Sequence, residues 1–195
     1  MTTKLSLPMY WFTQRNNFLI LQIRMELKTL LKLREISFMN KLLVIESADI
    51  LCYKAEKDIM TVDTLYNKPK YPEDQMYDII CFHATQAVEK LLKSFIISNG
   101  KTVEKIHDLD VLQKSAMEID SSFSDIKNAC VLLNTFVPNI KYDDDDPITK
   151  QDMEKIIISL ENVCNFPPIK TMRDKFSKEH NYKIVGEITT GQNKR

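Results

Sequence analysis

The stretch Ile80-Cys-Phe-His-Ala-Thr-Gln-Ala-Val-Glu-Lys-Leu-Leu-Lys-Ser-Phe95 carries two patterns at once. Ile80, Ala84, Ala87, Leu91 and Phe95 recur at intervals of three and four, which on a helix of 3.6 residues per turn draws one apolar stripe. Two of those positions are alanine, so a neighbouring helix can approach closely. His83, Gln86 and Lys90 fall at i, i+3 and i+7 and share a second face, roughly 10 Å end to end at about 1.5 Å per residue. The spacing predicts a helix from about Asp74 to Ser98. Acids at Glu73 and Asp74 suit its positive end, and Asn99-Gly100 stops it.

Working outward, the same rhythm recurs on both sides. Upstream, Ala48, Leu51, Ala55, Ile59, Val62 and Tyr66 predict a long helix over Lys41 to Tyr66, ended by the prolines of Asn67-Lys-Pro-Lys-Tyr-Pro72. Downstream, Leu109, Leu112, Ala116 and Ile119 predict a third helix, with Asp108 as its cap. Ile126, Ala129, Leu133 and Phe136 predict a fourth, which Pro138 should end. A fifth opens at Thr149, whose hydroxyl and the Asp152 carboxylate can cap it reciprocally, and runs through Met153, Ile156, Leu160 and Val163. No strand-like alternation lasts long enough to compete, so the expected fold is all-α, an antiparallel up-and-down bundle of four to five helices.

The ends differ from this middle. Residues 1–38 are basic and apolar together, with Lys4, Arg15, Arg24, Lys28, Lys32 and Arg34 against Glu26 and Glu35. Leu27, Leu30, Leu31 and Arg34 are spaced for an amphipathic helix lying on the bundle or on a partner. Met39-Asn-Lys41 would equally serve as a start, so residues 1–38 are read either as native or as an extension. The bundle is assigned to 39–166. Beyond Pro167-Pro168, Ile169, Met172 and Phe176 suggest a short helix within 167–195, followed from Gly186 by a polar, loose tail.

Bulk properties remove several function classes. The 27 basic and 27 acidic residues cancel, so no global field draws the chain to nucleic acid or an anionic membrane, and any such binding needs a local patch. The apolar run Phe18 to Ile23 stops at Arg24, too short for a membrane span, and a cytoplasmic protein is expected. The four cysteines, Cys52, Cys81, Cys130 and Cys164, have neither zinc-ribbon nor redox spacing and read as reduced, mostly buried thiols. With three histidines and three glycines, no phosphate loop, nucleophile elbow or zinc-protease motif can be assembled. No metal and no cofactor are expected. Asp143 to Asp146 lack the alternation and glycine of a calcium loop and read as a solvated acidic loop.

A histidine, an amide and an ammonium group in a row can bind a phosphate or a base edge. They can equally form a polar seam hydrogen-bonded to neighbouring helices, and spacing leaves both readings open. A resemblance adds to this. Ala55-Glu-Lys-Asp58, then Cys81-Phe-His-Ala-Thr-Gln-Ala-Val-Glu-Lys-Leu-Leu-Lys93, then Asn99-Gly-Lys101, then His107-Asp-Leu109 stand in an order that resembles the HEPN family over about Lys41 to Cys164. HEPN domains are helical domains of prokaryotes and higher eukaryotes.

The resemblance implies a bundle that dimerises and works beside a small nucleotidyltransferase in a toxin-antitoxin-like pair. Some members are metal-independent RNases that use an arginine and a histidine separated by four to six residues, while others bind nucleotide or nucleic acid. Arg173-Asp-Lys-Phe-Ser-Lys-Glu-His180 meets that pattern, although it lies beyond Pro167-Pro168. There Arg173 would hold the scissile phosphate and His180 would move the 2′-hydroxyl proton. Relatives also carry an Arg-Tyr-Pro-like turn after the helix ending near Phe136. Ile140-Lys-Tyr-Asp143 stands in that place, with Lys141 keeping the charge but not the planar fork of arginine. His107, at the entry to the third helix, is free to point into a cleft.

The leading expectation is therefore a nucleotide- or RNA-binding bundle that uses His83, Gln86, Lys90, His107 and Lys141, forms a homodimer, and associates with a nucleotidyltransferase-type partner. Two alternatives stand beside it. One is a metal-independent RNase acting through Arg173 and His180. The other is a pure interaction module, docked through the segment before Met39.

Overall fold

The computed structural model describes residues 8–67, 76–103, 105–142, 148–186 and 188; the side chains of 8–24, 37–47 and 137–142 fall outside that description. The described elements are helices throughout: α1 (Pro8–Asn67), α2 (Tyr77–Ser98), α3 (Leu109–Met117), a 3-10 turn (Ser121–Ile126), α4 (Lys127–Tyr142), α5 (Lys150–Asn165) and α6 (Pro167–His180). No described residue lies in a strand. No helix among them is long and apolar enough to cross a membrane.

Helix α1 begins far upstream of the expected Lys41. Pro8 sits at its first position, where a missing N–H costs nothing, and no glycine or proline follows until Pro69. The chain divides into two compact units, Met1–Leu43 and Val44–Arg195. In the first, every described side chain from Met25 to Ile36 is exposed, Leu27, Leu30, Leu31 and Leu33 included.

The second unit is the bundle. Helix α2 is its central rod and packs against α3, α4, α5 and α6. The Ser94 hydroxyl on α2 also donates to the Ala48 carbonyl of α1 at 2.8 Å. Its buried residues, from Ile80 through Ala84, Ala87, Val88 and Leu91 to Ile96, cover more of its circumference than the single stripe read from sequence. On α1 the buried positions are Ala48, Cys52, Ala55, Ile59 and Val62, while Leu51 is half-buried. Phe123 of the 3-10 turn lies between Phe95 and Phe166, with ring centroids at 4.4 and 4.9 Å, and ties three elements into one core. Emptying a fully buried leucine such as Leu91 removes contacts worth about 2–5 kcal/mol.

Local signals set most boundaries. Gly100 takes φ +78, the left-handed conformation that favours glycine, and its N–H closes α2 on the Ile97 carbonyl at 2.9 Å. Asp108 caps α3 by accepting from the Asp110 and Val111 amides at 2.9 and 3.2 Å. Thr149 and Asp152 form the reciprocal cap of α5. Phe166 and the proline pair at the first turn let α6 start directly after α5. The expected entry of α2 at Glu73 or Asp74 and the acidic run Asp143 to Asp146 lie outside the described residues.

One expectation fails. Pro138 does not end α4, which continues to Tyr142. A proline one turn from a helix end removes a single backbone bond, and the helix passes through it. The expected loose tail from Gly186 falls mostly outside the described residues; of those described, Gly186 is exposed and Ile188 is buried.

Candidate functional site

Helices α1 and α2 run antiparallel, and two carboxylates organise polar groups of α2, Asp58 across the contact from α1 and Glu89 from α2 itself. Asp58 of α1 accepts from His83 Nδ1 at 2.9 Å and from the Lys90 ammonium, so one side chain answers two residues of the His83, Gln86, Lys90 row. A carboxylate only accepts, which puts a proton on Nδ1 and leaves the Nε2 of a neutral ring as an acceptor. One turn along α2, Glu89 accepts from Lys93 Nζ at 2.7 Å and His107 Nδ1 at 3.0 Å on one oxygen, and from Gln86 Nε2 at 3.4 Å on the other. His83 and Lys90 thus share Asp58, Gln86 and His107 share Glu89, and the two sets adjoin along α2, where Glu89 and Lys90 are consecutive.

Access to the array is graded. The His107 side chain is 70% exposed and Lys90 21%, whereas Asp58 is 14% and Glu89 only 7%. His107, His83 and Lys90 stand nearer the surface, while Lys93, at 13%, is as covered as the carboxylates. Phe82 sets its ring edge-on to His83, centroids 5.5 Å apart. Asp58, Glu89 and Lys93 were not singled out as site residues from the sequence, although Asp58 and Glu89 lie inside the two motifs that carry the resemblance. A row of three donors on one helix face asks for a shared acceptor, and that was the available signal.

On the opposite side of α1, helix α6 also runs antiparallel, with Glu56 facing Arg173 and Asp49 facing His180. The Arg173 guanidinium grips Glu56 with Nε to Oε1 at 2.5 Å and Nη2 to Oε2 at 3.0 Å. It also donates to the Cys164 and Val185 carbonyls, each at 3.1 Å. Both partners are 4% exposed. Burial, the largest single influence, works against the charged guanidinium, yet the Glu56 hydrogen bonds together with the electrostatic pull of Cys164, Glu56 and Cys52 outweigh it and hold Arg173 above its ordinary pKa. His180, half exposed, donates from Nε2 to Asp49 Oδ2 at 2.5 Å.

The expected Arg173 and His180 pair thus shares a face of α6, but the structure answers each with its own carboxylate on α1. The arginine fork that would hold a phosphate is committed to Glu56. Glu56 carried a signal of its own: a carboxylate within the buried stripe of Cys52, Ala55 and Ile59 requires a buried cation. Lys141 lies within α4 and not in a turn after it, and its side chain is outside the described residues.

The thiols are inert in this setting. All four cysteines are free and buried, and burial pushes Cys52 up to about 11 and Cys81, Cys130 and Cys164 up to about 12. Among the described residues no group of three or more His, Cys, Asp or Glu side chains is placed to hold a metal ion.

Comparison with known proteins returns one family, described as HEPN domain, which matches residues 48–170. No curated protein and no solved structure matches the chain. The matched span holds the whole α1–α2 array and stops before Arg173 and His180.

Proposed function

The chain belongs to the HEPN domain family, and from that premise we propose that it is a binding bundle, taking the phosphate of a nucleotide or RNA at the α1–α2 array. The observation that carries this reading is that His83 and Lys90 share Asp58 across the partly open α1–α2 contact, with Gln86, Lys93 and His107 gathered on Glu89 beside them. Lysine and imidazole donors are what an anionic oxygen requires, and the partial exposure of Lys90, His83 and His107 lets these exchange a protein acceptor for a ligand. The reading includes a cytoplasmic homodimer with a nucleotidyltransferase-type partner in a toxin-antitoxin-like pair, which the family resemblance supports.

The test is titration of the purified full chain with nucleoside monophosphates and short RNA, wild type against Lys90→Ala and His83→Ala. Each variant is expected to weaken binding by about tenfold, the loss of one charge-assisted hydrogen bond. Unchanged affinity in both, or no binding by the wild type, overturns the reading.

One observation keeps an enzymatic alternative in view. His180 is half exposed and oriented by Asp49, as a proton-transfer residue would be. RNA cleavage in EDTA that is lost in His180→Ala would establish it. Equal cleavage by both proteins would dismiss it.

A further inference from the structure

We infer that the Asp58 carboxylate occupies the seat of a ligand's terminal phosphate, so that the array selects a phosphomonoester over an internal phosphodiester. The inference rests on the reading that this array binds a nucleotide or RNA phosphate, and it names the chemical class of the group bound.

Asp58 offers one oxygen to His83 Nδ1 and the other to Lys90 Nζ. Two oxygens of one phosphate would satisfy the same imidazole and ammonium donors in the same way. The carboxylate arrives from a different helix, across the α1–α2 contact, so the pairing is not a by-product of neighbouring turns on one helix. Glu89 differs: its Oε1 alone takes His107 Nδ1 at 3.0 Å and Lys93 Nζ at 2.7 Å, and Lys93 is its i,i+4 neighbour on α2, so the two-oxygen seat is that of Asp58.

Exchange is physically open at Asp58 and closed at Glu56. Lys90 and His83 keep 21% and 28% of their side-chain surface, so an incoming anion reaches them without unfolding the contact. Arg173, at 4%, offers no such approach. The resident carboxylate nevertheless competes, because it is tethered and its effective concentration is high. A diester phosphate carries one negative charge and has little advantage over a carboxylate. A monoester carries about −1.5 to −2 near neutral pH and presents three acceptor oxygens, so it displaces Asp58 more readily.

The experiment is isothermal titration of the full chain with AMP, with the 5′-hydroxyl dinucleotide ApA, and with short RNA bearing a 5′-phosphate or a 5′-hydroxyl. Wild type is expected to favour AMP over ApA, and 5′-phosphorylated over 5′-hydroxyl RNA, by roughly fivefold, the worth of one partly exposed ion pair. Preference for the phosphorylated end in RNA but no binding of AMP would place the monoester on an RNA terminus and still support the inference. Asp58→Asn, which is isosteric and removes the competing charge, is expected to tighten both ligands by a similar factor and to leave the preference for the monoester in place, because a tethered competitor lowers both affinities alike. Equal wild-type affinity for the two phosphate classes overturns the inference and needs no variant to read. Weaker AMP binding by a folded Asp58→Asn protein also overturns it. Lys90→Ala separates the two levels: if it leaves AMP affinity unchanged, the binding reading itself fails, whereas lost binding without a monoester preference removes only this inference.

Discussion

Glu56 and Asp58 stand two residues apart on α1 and meet opposite environments. Glu56 turns toward α6 and is sealed with Arg173, each 4% exposed, with the guanidinium also holding the Cys164 and Val185 carbonyls. Asp58 turns toward α2 and is shared between His83 and Lys90 at a rim that water reaches. Helical geometry sends adjacent carboxylates to different neighbours, and burial then decides what each can do. A sealed pair cannot exchange its partner without exposing a charge to a medium that does not solvate it. A rim pair costs little to open. In this bundle the arginine that fits an RNase pattern is sealed to Glu56 in the core, and Lys90 at the α1–α2 contact is the cation we propose for a ligand.

The largest effect is expected from breaking the sealed side. Arg173→Ala strands the Glu56 carboxylate and should cost about 3–5 kcal/mol in urea unfolding. A loss below about 1 kcal/mol would mean that Glu56 is reached by water, and would erase the contrast.

Thiol labelling sharpens the same side kinetically. Burial raises Cys52 to about 11 and Cys164 to about 12, so both are protonated as well as covered at pH 8. Native protein should resist iodoacetamide by on the order of a hundredfold relative to urea-unfolded protein. In Arg173→Ala, Cys52 and Cys164, which flank the broken pair, should label before Cys81 and Cys130. Simultaneous labelling of all four, followed by mass spectrometry, would show that the pair does not hold that corner on its own.

Asp152 is the third kind of carboxylate, held by local bonds near the surface. The Thr149 hydroxyl, ahead of smaller contributions from Lys155 and the Thr149 amide, lowers its pKa against a small desolvation penalty. Thr149→Ala should cost about 1 kcal/mol at neutral pH. A carboxylate with a lowered folded-state pKa stabilises above its unfolded value, near about 4, and loses that contribution as pH falls through the folded one. The gap between Thr149→Ala and wild type should therefore shrink in acid, which thermal melts from pH 7 to pH 2.5 would check. A constant gap would assign the cap to the backbone bond alone.

The smallest stability effect should come from the rim itself. Lys90→Ala is expected to change unfolding free energy by less than about 1 kcal/mol while weakening ligand binding. A loss as large as that of Arg173→Ala would place Lys90 among the fastenings.

By itself the sequence determined the helical class, the α5 capping box, the Asn99-Gly100 stop, the Asp108 cap and the polar row on α2, because these depend on residues within one or two turns of each other. The reach of α1 back to Pro8 and the passage of α4 through Pro138 escaped it. Proline is a strong local signal, but its cost depends on where in the helix it falls. Only the tertiary structure decided which carboxylate each cation meets. Arg173 lies 117 residues from Glu56, and Lys90 lies 32 from Asp58. No periodicity along the chain says which helix will bring its acid across a contact, or whether water will follow it in.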